Sequence, residues 1–304
     1  MTTTAHSTTG TASTQGTAAP VAGTGSSGVS EQRRLQKLGE LFDVRGLGVV
    51  VTGGGSGLGL RMGTALAEAG AHVTLLDVVE DRLEQARAEL AQRDLHVETA
   101  VTDITDFDRL DELFDRLEHG PHGLHVVFAN AGISAGIGPR LRSGRITDLD
   151  RERWQQVLDV NLTGAVNTMS AAARHLSAGY GRVVVTSSVG GVRADPMVGY
   201  AYASTKAGVI ALVRNAALEL AHRGITVNAI APGLFETGIR KTNPVAEAMT
   251  ADFMKVSAMK RSGELRELEG LAVYLASPAS GYVTGAVLSI DGGGQHVGPN
   301  DVEL

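Results

Sequence analysis

The stretch Gly48-Val49-Val50-Val51-Thr52-Gly53-Gly54-Gly55-Ser56-Gly57-Leu58-Gly59 joins a short apolar run directly to a cluster of glycines. Residues 48–52 show no alternation of apolar with polar side chains, which is typical of a strand buried on both faces of a sheet. Residues 58–69 are rich in Ala and Leu and stop at Gly70, so they predict a helix. The stretch is therefore predicted to be the first strand–turn–helix unit of an α/β domain.

Short apolar runs and helical segments keep alternating along the chain after this unit. Six further strands are predicted, at residues 72–77, 96–101, 125–129, 181–187, 225–230 and 287–290. The helices predicted between them lie at residues 81–92, 106–117, 151–175, 202–222 and 242–277, the last with a break at 261–263. Strands joined through helices pair in parallel, and right-handed crossovers place helices on both faces. The sequence thus predicts one doubly wound α/β domain around a seven-stranded parallel sheet.

Composition and charge exclude several classes of protein. The chain has 304 residues, a net charge of −6 and no cysteine. A mildly acidic chain has no global field to hold nucleic acid, and no apolar run of about 18 residues is present to span a membrane. Without cysteine there are no disulfides or thiolate metal sites, and the histidines show no ligand spacing. We therefore expect no metal, nucleic acid or membrane partner, and a reducing, cytoplasmic location.

The two ends of the chain differ in composition from the predicted domain. Thr, Ser, Gly and Ala occupy 24 of the first 30 residues, which leaves almost nothing to bury. Residues 1–30 are therefore predicted to be a disordered tail; a weak transit peptide is the alternative, although Arg is absent there. Residues 31–44 are predicted to form a lead-in helix, residues 45–295 the domain and residues 296–304 a C-terminal tail.

The glycine turn has the chemistry of a phosphate-binding loop. Gly53, Gly57 and Gly59 form a G-x-x-x-G-x-G pattern, and the helix that follows offers unpaired N–H groups and the positive end of its dipole. No Lys-Ser/Thr pair follows, so the turn is not that of a nucleoside-triphosphate P-loop. A turn whose glycines serve packing alone is the alternative.

Asp77, at the end of the second predicted strand, favours a dinucleotide as the ligand. A carboxylate at this place can accept hydrogen bonds from both hydroxyls of an adenosine ribose, and it repels a 2′-phosphate. No Arg or Lys stands at positions 53–60 or 78–79 to bind that phosphate. We therefore expect NAD as the cofactor; a structural cap of the strand end is the alternative for Asp77.

A tyrosine and a lysine open the helix predicted at 202–222. Tyr202 and Lys206 stand four residues apart, which places both side chains on one face of the helix. A phenol has an ordinary pKa of about 10, and a neighbouring ammonium lowers that pKa because it favours the phenolate. The pair is therefore a candidate acid/base device, with an ordinary amphipathic helix face as the alternative. Tyr200 has Ser204 at the corresponding position, so it does not qualify.

Further motifs follow in a fixed order between and after these groups. They are Val101-Thr102-Asp103-Ile104, Asn130-Ala131-Gly132, Val160-Asn161-Leu162-Thr163-Gly164, Thr186-Ser187-Ser188-Val189-Gly190-Gly191, Pro232-Gly233 with Thr237, and Ile290-Asp291-Gly292-Gly293. Together with the glycine turn and Y-x-x-x-K, the set resembles the short-chain dehydrogenase/reductase family over about residues 42–295. Ala129 departs from the family's pattern, because an Asn usually stands there. The resemblance implies a single Rossmann-like domain.

The resemblance also assigns residues to the cofactor. It implies that NAD is held by the glycine turn, the strand ends, the tyrosine–lysine pair and the loop after the sixth strand. These residues are Gly53, Gly55, Ser56, Gly57, Leu58, Gly59, Asp77, Asp103, Ile104, Asn130, Ala131, Gly132, Tyr202, Lys206, Pro232, Gly233 and Thr237.

The activity that the resemblance implies is hydride exchange between NAD(H) and a secondary alcohol or ketone. Tyr202 would be the general acid/base, and Lys206 would lower its pKa and bind the nicotinamide ribose. Ser188 would bind the substrate oxygen, although its distance in sequence from Tyr202 is one residue more than is common, so Ser187 is the alternative. Asn161 would position a water that links Lys206 to solvent; a helix kink is the alternative.

The substrate pocket is expected between residues 133–145, 190–199 and 234–261. Four apolar side chains of the last segment are expected to form either an adaptable lid over the pocket or an ordinary helix core. They are Met249, Phe253, Met254 and Met259. Four arginines of these segments are candidates to bind an acidic substrate, with simple solvation on a loop as the alternative. They are Arg140, Arg142, Arg145 and Arg193.

Two alternative functions stay open for the chain, and an oligomeric state is expected. A non-catalytic NAD sensor or scaffold on the same fold is the alternative function. A carbonyl reductase that works in the biosynthetic direction is the alternative enzyme, since hydride transfer is reversible. The resemblance, with the Ala-rich helices at 151–175 and 202–222, implies a homotetramer; a dimer is the alternative.

Overall fold

Seven strands form one parallel sheet in the computed structural model, which describes residues 30–134, 136, 138–236, 254 and 257–295. The strands are β1 (Gly48–Thr52), β2 (His72–Asp77), β3 (Glu98–Val101), β4 (Val126–Ala129), β5 (Gly181–Thr186), β6 (Ile225–Pro232) and β7 (Val287–Ile290). Their order across the sheet is β3-β2-β1-β4-β5-β6-β7, and each neighbouring pair is parallel. The predicted Rossmann-like, doubly wound α/β class is confirmed.

Helices connect the strands and cover both faces of the sheet. They are α1 (Glu31–Leu41), α2 (Gly57–Glu68), α3 (Glu80–Ala91), α4 (Phe107–Glu118), α5 (Arg151–Leu158), α6 (Gly164–His175), α7 (Val189–Val192), α8 (Tyr200–Leu220) and α9 (Arg266–Ala276). Short 3₁₀ turns lie at Arg142–Gly144, Ile146–Asp148, Ala221–Arg223 and Pro278–Ser280. None of the helices in these described ranges is both long and apolar enough to cross a membrane.

The strands are apolar on both faces because each face packs against helices. Val50 of β1 belongs to a buried cluster that includes residues of α4, α6 and α8. Val49 and Val51, which point to the other face, belong to a second cluster with residues of α2, α3 and α9. All five residues of β1 are buried, which accounts for the lack of alternation in this stretch of sequence.

Several predicted boundaries were wrong by one to a few residues. β3 begins at Glu98 and β4 at Val126, because these are the first residues that pair with β2 and β1. The helix predicted at 151–175 is interrupted by a π-helical turn, Asp159–Thr163, between α5 and α6. Of the helix predicted at 242–277, the structure describes residues 254 and 257–277; residues 257–265 are turns and irregular chain, and the helix that follows them is α9.

The chain divides into two units, residues 1–38 and 39–304, and the second contains the whole sheet. Within the first unit, the described residues are 30–38, which include the first part of α1; this helix ends at Leu41, whereas the lead-in helix was predicted over residues 31–44. Most of the predicted N-terminal tail and all of the C-terminal tail lie outside the described residues.

Candidate active site

A large cleft lies at the carboxyl ends of the strands, where the strand order reverses between β1 and β4. In open α/β sheets this reversal is where ligands bind. The cleft has a volume of about 510 Å³. Its described lining includes many of the predicted cofactor residues, namely Gly53, Ser56, Gly57, Leu58, Asp77, Asp103, Ile104, Asn130, Ala131 and Gly132.

The glycine turn needs glycine for its backbone geometry. Gly53 and Gly57 have φ of +64° and +57°, in the left-handed region that other residues avoid. A Cβ atom on Gly59 would lie 2.2 Å from the carbonyl oxygen of Gly53, so the turn could not close around a larger side chain. Helix α2 begins at Gly57, and the side chain of Ser56 makes no capping hydrogen bond. The hydroxyl of Ser56 and the first N–H groups of α2 are therefore suited to bind a phosphate.

Asp77 lines the same cleft beside the glycine turn and is buried. The N–H of Gly55 donates to Oδ2 at 3.2 Å, and the N–H of Val79 donates to Oδ1 at 3.1 Å. An ionised carboxylate offers about four acceptor positions, so it keeps capacity for the hydroxyls of a ribose.

Arg82 is a lining residue that the sequence analysis missed. It lies in the first turn of α3, and its Cβ would be 2.9 Å from a Cβ placed on Gly55. The prediction of NAD rests on the absence of Arg and Lys from the glycine turn and from the two positions directly after Asp77. A search one turn into the next helix would have found this guanidinium, five residues beyond Asp77.

Asn130 ties the ends of three strands together beneath the cleft. Its Nδ2 donates to the carbonyl oxygen of Thr52 at 3.1 Å, and its Oδ1 accepts from the hydroxyl of Thr186 at 3.1 Å. The Thr52 hydroxyl in turn accepts from the N–H groups of Asn130 and Ala131. This network fixes the glycine turn relative to β4 and β5.

A smaller cavity of about 210 Å³ contains the predicted acid/base residue and the predicted serine. Tyr202 and Ser188 both line it, and the hydroxyl of Ser188 accepts from the N–H of Gly190 at 3.1 Å. Ser187 is 1% exposed and its hydroxyl donates to the carbonyl oxygen of Lys206 at 2.7 Å. Of the two serines, the geometry therefore favours Ser188 as the one that meets a substrate.

Lys206 is buried against the same group of strand ends. Its Nζ donates to the carbonyl oxygen of Thr186 at 2.7 Å and lies 5.6 Å from the centre of the Tyr202 ring. A Cβ on Gly132 would lie 3.4 Å from Nζ, so this glycine permits the close approach of the lysine. Burial lowers the pKa of Lys206 to about 8, because an ammonium is poorly solvated in the interior.

Asn161 lies in the π-helical turn and holds the loop that follows β4. Its Oδ1 accepts from the N–H of Ile133 at 2.7 Å, and its Nδ2 donates to the carbonyl oxygen of Ile133 at 2.9 Å. The side chain is almost fully buried. The structure thus gives Asn161 a positioning contact; the predicted role in holding a water stays a prediction.

Comparison with known proteins agrees with this geometry. A family model described as enoyl-(acyl carrier protein) reductase matches residues 53–295. The cis-4-hydroxycyclohexanecarboxylate dehydrogenase of Sinomonas cyclohexanicum is 38% identical over 267 residues, which cover 84% of this chain and 98% of that protein. The chain belongs to the short-chain dehydrogenase/reductase family. Members of this family are Rossmann-fold oxidoreductases that bind nicotinamide dinucleotides.

Two solved structures of short-chain dehydrogenases/reductases are also similar to this chain. The gluconate 5-dehydrogenase of Burkholderia cenocepacia, in complex with NADP and tartrate, has a TM-score of 0.76 and 30% identity, and the match covers 85% of this chain and 99% of that one. An NAD⁺-bound xylitol dehydrogenase has a TM-score of 0.73 and 29% identity over 82% of this chain and 99% of that one. Both nicotinamide cofactors therefore occur among structures similar to this chain.

The remaining predicted site residues of this short-chain dehydrogenase/reductase either lie at the smaller cavity or fall outside the described residues. Pro232 ends β6, and Gly233, whose N–H donates to the carbonyl oxygen of Ile290 at 3.0 Å, lines the cavity. Thr237, Met249 and Phe253 lie outside the described residues. None of the four predicted arginines is among the described residues that line the cavity.

Proposed function

We propose that the chain is an NAD-dependent dehydrogenase that oxidises a small secondary alcohol to a ketone, with residues 45–295 as the catalytic domain. The observation that supports this most directly is the small cavity lined by both Ser188 and Tyr202. Lys206 is buried beside the tyrosine, and a Cβ atom on Gly132, which lines the larger cleft, would lie 3.4 Å from its Nζ. An acid/base group, an oxygen-binding hydroxyl and a cofactor cleft are the parts that this chemistry needs.

The residues of the cleft fit a nicotinamide dinucleotide. The glycine turn and the start of α2 would hold the pyrophosphate, and Asp77 would accept hydrogen bonds from the adenosine ribose. Asp103 and Ile104 line the cleft beyond Asp77, and the Asp103 carboxylate is held by the N–H of Thr105 at 2.9 Å. When bound, the dinucleotide supplies the hydride acceptor or donor.

The chain's own residues would handle the proton and the substrate oxygen. Ser188 would donate a hydrogen bond to the substrate oxygen, where negative charge develops. Tyr202 would take the alcohol proton during oxidation and return it during reduction. The positive charge of Lys206 would favour the phenolate form of Tyr202 and would also hold the nicotinamide ribose. Asn161 would keep the loop at Ile133 in place and position a water near Lys206.

A panel of secondary alcohols and their ketones, assayed with NAD(H) by the absorbance of the reduced nicotinamide, tests the proposal. Turnover of at least one pair in both directions is expected, because hydride transfer is reversible. A chain that binds NAD tightly but converts no member of a broad panel would instead support the sensor or scaffold.

Asp77 should make NAD the preferred cofactor. Exchange of Asp77 for Ser should lower kcat/KM with NAD and raise kcat/KM with NADP, each by about tenfold or more, because a charged hydrogen bond to the ribose is lost and a repulsion is removed. Steady-state kinetics with both cofactors measure the ratio.

The guanidinium of Arg82 provides a matched control for this prediction. Replacing Arg82 by Ala in the Asp77→Ser background should reverse part of the gain with NADP, because the one cation among the described residues that line the cleft is then removed. A wild-type chain that used NADP at least as well as NAD would show that the role proposed for Asp77 is wrong.

We expect four copies to assemble through the helices that follow β4 and β5. Val166 on α6 and Leu218 on α8 are 41% and 83% exposed, and an assembly through these helices would cover them. Light scattering at micromolar concentration should give the mass of a tetramer. The mass of a monomer would contradict this expectation.

A further inference from the structure

Asp195 is the acidic residue among the described residues that line the cavity of Ser188 and Tyr202. Asp195 lies in the loop between α7 and α8, and its side chain is only 5% exposed. Burial of a carboxylate is costly unless its oxygens are hydrogen-bonded, so the partners of Asp195 indicate what it can still bind.

One carboxylate oxygen of Asp195 accepts a hydrogen bond from its own loop. The N–H of Met197 donates to Oδ1 at 2.9 Å, and the N–H of Val198 donates to the backbone carbonyl of Asp195 at 3.2 Å. These bonds hold the carboxylate at a fixed place in the cavity wall. They use one of the roughly four acceptor positions that a carboxylate offers.

The other oxygen has a loosely placed partner. Nη2 of Arg193 approaches Oδ2 at 3.4 Å, which is longer than the usual range for a charged hydrogen bond. The same guanidinium donates from Nη1 to the carbonyl oxygen of Ala194, and its Nε is buried without a hydrogen-bond partner among the described residues. Arg193 therefore offsets the charge of Asp195 without using its acceptor positions fully.

The lining and the size of the cavity determine what could reach the remaining acceptor positions of Asp195. Besides its polar residues, its described lining includes the apolar side chains of Val189, Met197, Val198 and Leu234. At about 210 Å³ it is smaller than the pockets that hold drug-sized ligands. A small substrate whose reacting oxygen lies at Ser188 and Tyr202 would therefore occupy the same small cavity that Asp195 lines.

We infer that Asp195 determines substrate specificity by accepting a hydrogen bond from a second hydroxyl of the substrate. The substrate class is then a small diol or polyol, in preference to a simple alcohol or a hydroxy acid. A simple alcohol leaves the remaining acceptor positions of this carboxylate unused, and a substrate carboxylate meets a like charge in the cavity wall. The inference rests on the proposed function, since it concerns the substrate of the same reaction.

The test compares substrates that differ in one group. We would measure kcat/KM with NAD for cyclohexanol, for the cyclohexane-1,2-, 1,3- and 1,4-diols, and for cis-4-hydroxycyclohexanecarboxylate. At least one diol should exceed cyclohexanol by about ten- to hundredfold, as expected of a hydrogen bond to a charged group, and the hydroxy acid should fall below that diol.

Variants of Asp195 separate recognition from loop structure. In Asp195→Ala the ratio of kcat/KM for the preferred diol to that for cyclohexanol should fall by about ten- to hundredfold. In Asp195→Asn, whose amide oxygen still accepts and whose shape preserves the loop, the ratio should fall less. A purely structural role would lower both rates by the same factor and leave the ratio unchanged.

The possible results separate the inference about Asp195 from the proposed function. Turnover of cyclohexanol without preference for any diol, or a ratio that neither variant changes, overturns the inference about Asp195 while the proposed dehydrogenase stands. Failure of the wild-type chain to convert any alcohol of the panel, or its ketone, overturns the proposed function and the inference with it.

Discussion

The Tyr202→Phe variant should turn over its alcohol about 10²–10⁴-fold more slowly than the wild-type chain, which is the usual contribution of general acid/base catalysis. The exchange removes one hydroxyl and keeps the ring, so the packing of α8 should survive. No group at that position could then exchange a proton with the substrate oxygen. Cofactor binding should persist, because the glycine turn and Asp77 are unchanged; titration of NADH fluorescence would measure it.

Tyr200→Phe is the matched control for this variant. Tyr200 lies in the same turn of α8, but Ser204 rather than a lysine stands four residues on, and Tyr200 is not among the described residues of the cavity. Its turnover should stay near that of the wild-type chain. If Tyr200→Phe lost turnover and Tyr202→Phe kept it, the acid/base group would have to be reassigned.

Lys206→Ala should impair both turnover and cofactor affinity, because the lysine is proposed to act on Tyr202 and on the nicotinamide ribose. Loss of a charged hydrogen bond to the ribose should weaken NAD binding by about ten- to hundredfold. Turnover at saturating NAD should fall by about 10²-fold or more, since the acid/base function of Tyr202 depends on the ammonium. Calorimetric titration with NAD and kinetics at saturating cofactor separate the two effects.

The control for this prediction must address burial. Lys206 is 4% exposed, so its truncation to Ala leaves a cavity, whereas Lys206→Met retains most of the apolar volume without the charge. Both variants should show the same loss of NAD affinity if the charge is responsible. Normal NAD affinity in a folded Lys206→Met variant would show that this lysine does not bind the nicotinamide ribose.

Features that depend on neighbours in sequence could be predicted without a structure. The apolar run of β1, the glycines that follow it and the helical spacing of Tyr202 and Lys206 are all local patterns. Local patterns set strand and helix periodicity, and strands that alternate with helices leave few topologies. The seven-stranded parallel sheet followed from the same reasoning, and the structure confirms it.

The sequence by itself thus determined the fold class, the order of the strands along the chain and the helical pair of Tyr202 and Lys206. The tertiary structure alone decided which distant residues meet: Arg82 beside Asp77, Asn161 against Ile133, and Asp195 in the cavity of Tyr202. It also decided that Ser188 faces the cavity while Ser187 bonds to the backbone of Lys206. The physical reason is that such contacts depend on how packed elements are positioned in space, which the periodicity of a single segment does not encode.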